Sequence, residues 1–145
     1  MKAKQLTEPV EVIKTWGGEE WFVNDEKYCL KRLTVVWGAY CSVHKHEIKD
    51  ETFVVTNGAV LLQTFDCKGE NLVKNFWLDE LSDPVRIPVG CYHRFLGLSP
   101  DTAEIWETST QHFDTDSYRV KPSGSYSAKE FFPFLKEARK NGIRL

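Results

Sequence analysis

No run of apolar residues in this sequence approaches the roughly 20 needed to cross a bilayer as a helix. Nor is there an excess of charge of one sign. The 19 Lys and Arg face 21 Asp and Glu, for a formal net charge of −2. That balance gives no electrostatic reason to expect nucleic acid or an anionic membrane surface as a partner. The first residues, MKAKQLTEPVEV, hold no apolar stretch of signal-peptide length, so the expected location is the cytoplasm. Four cysteines (Cys29, Cys41, Cys67 and Cys91) are scattered with no C-x-x-C pair. A redox motif or a cysteine-rich structural zinc site is thereby excluded, and the thiols are expected to be reduced. There is no repeat at solenoid period and no low-complexity tract.

What is present is a series of short β-rich runs separated by turn residues. Candidate strands cover residues 10–14, 28–36, 40–46, 52–56, 59–65, 75–78, 85–87, 93–98 and 103–108, rich in Val, Thr, Phe, Tyr and Trp. Turn signals stand between them at Trp16-Gly17-Gly18, Asn24-Asp25, Asn57-Gly58, Cys67-Lys68-Gly69 and Ser99-Pro100-Asp101. Asn57-Gly58 between two apolar runs is the strongest hairpin signal, of type I′. An all-β sandwich or barrel is the expected class, and a chain of this length fits one domain.

The tail changes character. Ser127 and Glu130 have the spacing of a capping box. Phe131, Phe134, Leu135 and Ala138 then recur at helical spacing, and Gly142 suits the helix end. Pro133 either lies inside this helix or opens a shorter one. The aromatic residues Phe131, Phe132 and Phe134 are expected to be core or dimer contacts on the outside of the barrel.

Chemistry concentrates in two stretches. On a strand, His44 and His46 project to the same face, and Glu51 follows at a distance that lets the chain turn and return a carboxylate to the same point. The second stretch is Pro88-x-Gly90, a tight turn that sets the entry of His93. Three imidazoles and one carboxylate suit one divalent transition metal (Mn, Fe, Zn, Co or Ni) better than Ca or Mg. Cys41 and Cys91 lie close by in sequence, with burial as small hydrophobes the more ordinary role.

The residues from Gly38 to Gly58 resemble the first cupin motif, G-x5-H-x-H-x4-E-x6-G, at every fixed position, and Pro88-x-Gly90-x-x-His93 resembles the centre of the second. The second motif departs at its ends: its leading glycine is missing, and Gly97 stands where asparagine is usual. Lys14-Thr-Trp16-Gly17, the Tyr28–Val35 stretch, His93-Arg94 and the segment from Ser109 to Arg119 resemble the mannose-6-phosphate isomerase-like cupins. The resemblance implies a double-stranded β-helix (jelly-roll) barrel over residues 10–120, with a helical tail over 127–142, in a single domain. It also implies His44, His46, Glu51 and His93 as metal ligands and sugar or sugar-phosphate aldose–ketose isomerisation as the activity. A metal-dependent oxygenase and a non-catalytic sugar-binding module are the alternatives, since a shared fold does not fix function.

Isomerisation also needs a base beside the transferred proton. Alternation along residues 103–108 places Ala103, Ile105 and Glu107 on one face and Glu104, Trp106 and Thr108 on the other; with the small apolar set inward Glu107 is the first candidate, against a rim carboxylate in an ion pair or a buried Trp106 that reverses the faces. His112, with Asp114 and Asp116 nearby to orient it, is the second, against a solvated loop histidine. Lys31, sharing a face with Leu33 and Val35, is a candidate for a substrate oxygen or phosphate with Arg32 pointing out, against the opposite arrangement in which Arg32 faces inward. Arg94 and Arg119 are either anion binders or loop ion pairs, and Lys45 should face away from the ligands. The partner expected is a small sugar or sugar phosphate, and the N-terminal segment suggests an edge strand for a homodimer.

Overall fold

The computed structural model describes residues 1–145 and shows two facing antiparallel sheets with one helix on an outer face. The strands are β1 (Val10–Lys14), β2 (Gly17–Asn24), β3 (Cys29–Val36), β4 (Ala39–Tyr40), β5 (Val43–Lys45), β6 (Glu51–Asn57), β7 (Ala59–Phe65), β8 (Leu72–Asp79), β9 (Val85–Ile87), β10 (His93–Gly97), β11 (Thr102–Ser109), β12 (Tyr118–Lys121) and β13 (Gly124–Ser125). One sheet has the order β1-β2-β3-β11-β6-β9. In the other, β10 is central: β7 and β8 lie on one side, β4 and β5 on the other, with β12 outside β5 and β13 outside β4. The result is a jelly-roll sandwich whose sheets do not close into a barrel, and strands continue to Ser125 rather than ending near 120.

Period-two burial locks the six-stranded sheet in register. In β3, Cys29, Lys31, Leu33 and Val35 are buried, and in β11 Ala103, Ile105, Glu107 and Ser109 are buried. A one-residue slip would turn either set to solvent. Of these side chains, Leu33, Val35, Ala103 and Ile105 join Phe53, Val60, Leu62 and Phe95 from the two sheets in the main core, with Trp16 edge-on to Phe95 at 4.9 Å.

Several strands match the sequence expectation residue for residue, β7 and β9 among them. Others do not. Asn57-Gly58 is not a hairpin: β6 and β7 belong to different sheets, so the pair forms the corner between them. Only Gly58 has a positive φ (72°), which excludes the type I′ geometry. A Cβ on Gly58 would come within 2.5 Å of Ser99 Oγ, so glycine is needed here for both conformation and space. The expected strand 40–46 is broken into β4 and β5 at Cys41 and Ser42, which leaves His46 just beyond the strand. The Trp16-Gly17-Gly18 turn lies one residue earlier, at Thr15-Trp16, because both glycines pair in β2.

The helix α1 (Ala128–Lys140) runs through Pro133 instead of starting there. Its capping box is complete, with the Ser127 side chain accepting from the Glu130 amide and the Glu130 carboxylate accepting from the Ser127 amide. At the other end, Gly142 (φ 81°) and Ile143 donate back to the carbonyls of Arg139 and Ala138, the pattern of a Schellman motif. Phe131 and Ala138, both fully buried, pack with Ile143 against Leu61 on β7, Leu96 on β10 and Leu98 just after it. Phe132 is not core, at 64% exposed. No helix is long and apolar enough to cross a membrane.

Candidate metal centre

His44 on β5 and His93 on β10 stand directly opposite one another across an antiparallel pair, so both rings leave the same face of their sheet. His46 follows β5, and Glu51 opens β6 in the facing sheet. The turn that delivers His93 closes with Cys91 N–H donating to Pro88 O (3.2 Å). Gly90 at φ 83° occupies the third position, as a type II turn requires. Gly90 N–H then donates to His46 O at 2.7 Å and ties the two ligand segments together.

The four side chains converge, with one ligand atom of each lying within 4.8 Å of all the others. The tautomers are set by the backbone. Nδ1 of His44, His46 and His93 lies 2.8, 2.5 and 2.9 Å from the carbonyls of Ser42, Asp116 and Cys91. A carbonyl can only accept, so each Nδ1 carries the proton and each Nε2 presents a lone pair. Burial holds His44 well below the usual imidazole range, assisted by His93 and His46, and it brings His46 down to about 4. Burial would raise the Glu51 carboxyl, but His93, Lys49 and His46 outweigh it and hold the group well below 4.5. His44, His46 and Glu51 are therefore held unprotonated at neutral pH, as metal binding demands.

Three of these atoms lack hydrogen-bond partners although fully buried: both Glu51 oxygens and His93 Nε2. Glu51 Oε1 lies 2.7 Å from His93 Nε2, and Oε2 lies 2.8 Å from Lys49 Nζ, but neither approach has hydrogen-bonding angles. Orphaned buried acceptors of this kind need a partner. Glu51 Oε2 has the Lys49 ammonium beside it; one divalent cation, with ligands about 2.0–2.2 Å from it, satisfies Glu51 Oε1 and His93 Nε2 together.

Lys49 was not among the residues singled out from sequence. Its ammonium, 3% exposed, bridges Glu51 and Glu107, lying 3.0 Å from Glu107 Oε2. Burial would lower its pKa, yet Glu107 and Glu51 raise it, so Lys49 is a buried cation. Asp116 was misassigned. It does not touch His112; its buried carboxylate accepts from the amides of Glu47, Ile48 and Lys49, while its carbonyl holds His46. One residue thus shapes the loop between His46 and Glu51 and aims Lys49. Nothing local marks it, since its partners lie about 70 positions away.

The other candidates fall as follows. Glu107 and Lys31 are directly opposed on β11 and β3, both buried and facing inward. Burial foremost, with Glu51, raises the Glu107 carboxyl against the pull of Lys49 and Lys31. Both of its protein contacts, Lys49 Nζ and Ser109 Oγ, are to Oε2. Lys31 donates to Glu19 Oε1 at 3.3 Å and lies 4.1 Å from the centre of the Trp21 ring. His112 Nε2 is 3.1 Å from Asp114 Oδ1, and its buried Nδ1 has no partner. Burial, with Lys31 and Lys49, brings His112 down to about 4. Lys45 faces away, onto Glu47 and Tyr92.

Arg94 does not reach the site, because Gln63 and Tyr126 engage it. Arg32 points outward to Glu20. Cys41 is fully buried; desolvation raises its thiol to about 12, an inert side chain rather than a thiolate ligand. Cys91 is half-buried and packs against the main core.

His44, His46, Glu51, Lys31, Lys49, Glu107 and His112 surround one cavity of about 480 Å³ between the sheets, with a lining that is mostly polar. This is ample for a small molecule, and the polarity suits an oxygen-rich one. No protein-family model and no curated protein matches the chain. Solved structures do. The capsular polysaccharide assembling protein CapF from Staphylococcus aureus superposes with a TM-score of 0.70 at 17% identity, covering 80% of this chain and 32% of CapF. The fold is that of a cupin. Bacillus subtilis oxalate decarboxylase, described with Mn(II) centres, gives 0.62 at 16% identity over 79% of this chain and 30% of its own. A variant of Streptomyces PAC13 with uridine gives 0.65 at 14% identity, covering 84% of this chain and 93% of PAC13. The present chain thus spans about a third of the length of CapF and of oxalate decarboxylase. At such identities the likeness carries the cupin fold alone.

Proposed function

We propose that this cupin is a metal-dependent aldose–ketose isomerase acting on a sugar or sugar phosphate, with His44, His46, Glu51 and His93 holding one divalent ion. The observation that carries the reading is Glu107. It is an inward, buried carboxylate on the same cavity as the ligand cluster, with Oε1 free of protein partners. A bound divalent ion supplies Lewis acidity that polarises a carbonyl and stabilises negative charge on its oxygen. Glu107 Oε1 takes the proton from the hydroxyl-bearing carbon beside that carbonyl and returns it to the former carbonyl carbon, while the hydroxyl proton passes to the former carbonyl oxygen. Its raised pKa suits both directions of transfer near neutral pH. Lys49 fixes Oε2, so a single oxygen is presented. His112 donates Nε2–H to Asp114, which leaves Nδ1 to accept from a substrate hydroxyl. Lys31 contributes a cation to the wall beside Glu107.

The test is metal analysis of the purified protein followed by a screen of hexoses, pentoses and their phosphates for aldose–ketose conversion. About one equivalent of metal is expected, with deuterium entering the product at the transferred carbon in heavy water. Glu107→Gln should lose roughly 10²–10⁴-fold in turnover while keeping its metal. His44→Ala with His93→Ala should lose both. Turnover by Glu107→Gln at the wild-type rate would refute the role of Glu107. Oxygen consumption by metal-loaded protein, with no sugar converted, would instead favour the oxygenase reading that the same donor set supports.

A further inference from the structure

Eight charged side chains line the cavity. Lys14, Lys31, Lys49 and Arg119 are balanced by Glu19, Glu51, Glu107 and Asp114. A divalent ion would therefore leave the space with a net positive charge, which favours an anionic occupant. The cations are not equally available. Lys14 and Lys31 both lie against Glu19, and Lys49 is shared by Glu51 and Glu107. Asp114 is taken by His112. Arg119 has no hydrogen bond and no ion pair, although it lines the cavity.

Its placement is specific. β12 pairs with β5 so that Arg119 stands directly opposite His44. Cross-strand partners share a face, with Cβ atoms about 5 Å apart, so Arg119 leaves the sheet on the side of the metal ligand. A bulge follows between Arg119 and Lys121, an irregularity of the kind that re-aims side chains beside functional sites. The nearby hydroxyls of Thr15 and Ser123 meet at 2.9 Å and join the β1–β2 turn to the segment after β12 across the mouth. A guanidinium held there can grip two oxygens of one group at once.

We propose that Arg119 is the anion-recognition residue of this cavity, and that the molecule bound beside the metal ligands carries a phosphate or carboxylate group. The inference rests on the sugar-binding reading above, but its test does not need turnover. Sorbitol, sorbitol 6-phosphate and gluconate are titrated calorimetrically into the Mn-loaded full chain. None of them has the carbonyl that isomerisation needs.

At least one of the two anions should bind roughly 10- to 100-fold more tightly than sorbitol, the range for a charge-assisted pair. Which anion does so separates phosphate from carboxylate. Arg119→Ala should remove that margin and leave sorbitol affinity and the melting temperature unchanged, because the side chain is exposed and makes no contact that holds the fold. Arg119→Lys should retain only part of the margin. Equal binding of all three ligands, no binding at all, or a margin that survives Arg119→Ala overturns the proposal. An intact margin in a protein that converts no sugar would overturn the isomerase reading and leave Arg119 in its role.

Discussion

Replacing Lys49 by methionine keeps the length of the side chain and removes the one ammonium between Glu51 and Glu107. The three side chains are 3%, 1% and 6% exposed, at 2.8 and 3.0 Å separations. Losing one partner of such a buried pair costs about 3–5 kcal/mol, because the charges left behind are uncompensated. For a chain of 145 residues, an unfolding entropy of about 0.3 kcal/mol/K converts this to a fall of roughly 10–16 °C in Tm. Without Lys49 the already raised Glu107 can relieve the strain only by taking up a proton. A carboxyl raised in the folded state contributes stability that is full below its unfolded pKa and is lost as pH rises through the folded value, so the deficit should grow as pH rises above the ordinary carboxylate range.

A divalent ion on Glu51 restores part of the missing positive charge. Mn should therefore raise the Tm of Lys49→Met by more than it raises that of the wild type. Adding Glu107→Gln to Lys49→Met should cost less than the sum of the single changes, with a coupling of about 0.5–3 kcal/mol. Calorimetric melts of the four proteins, with and without Mn, measure all of this. A loss below about 1 kcal/mol, set against the 3–5 expected of a broken buried pair, or strict additivity, would show that Lys49 is not the cation that holds the two carboxylates together.

Other outcomes follow from the same contacts. At 100 times its Kd, a metal bound only by the folded state adds about 2.7 kcal/mol. In this chain that is about 9 °C of Tm, and it should vanish in the His44→Ala/His93→Ala protein. Ser127→Ala, which removes the helix cap, should cost about 1 kcal/mol by denaturant unfolding. Phe131→Ala should cost about 3–5 kcal/mol, because Phe131 joins the helix to the sheet. Asp66 accepts from the Glu70 amide first, and from Asn71 and Lys68, which lowers its carboxyl from 3.8 to about 2. The stability of that turn should be full above pH 3.8 and fade as pH falls through about 2. Asp66→Asn should flatten this acid limb in a pH-resolved melt.

How much of this was legible depends on how far each signal reaches along the chain. β7 and β9 were read to the residue because alternation and flanking turns are local. The capping box and the terminal glycine marked both helix ends for the same reason, while Pro133 left a second, shorter start open that the structure excludes. β2 was missed because Gly17-Gly18-Glu19-Glu20 has poor strand propensity and no clean apolar alternation. Pairing with β1 and β3 along its length overrides that preference. Asn57-Gly58 shows the limit of a turn signal, since the dipeptide reports a tight reversal and not whether the next strand returns to the same sheet. Alternation along β11 correctly turned Glu107 inward. Asp116 was out of reach because it acts on amides 67 to 69 positions away, and for Lys49 the inward turn is fixed as much by Glu107, 58 positions away, as by the neighbouring Glu51.

The division of the site between the two sheets ties its chemistry to their packing. His44 and His93 belong to the sheet centred on β10, whereas Glu51, Glu107 and Lys31 belong to the sheet containing β3, β6 and β11. The gap between them is set by Phe53, Phe95 and Trp16, which line the cavity and belong to the main core. Phe53 stands directly beside Glu107 across the β6–β11 pair and also approaches the His93 ring at 6.1 Å. Close-packed interiors pass on displacement rather than absorb it. A smaller side chain at Phe53 would therefore act on the site twice, freeing the sheets to approach and loosening the ring that carries a ligand. Loss of metal affinity from that substitution, with no ligand altered, is the consequence expected of a centre built across a sandwich rather than within one sheet.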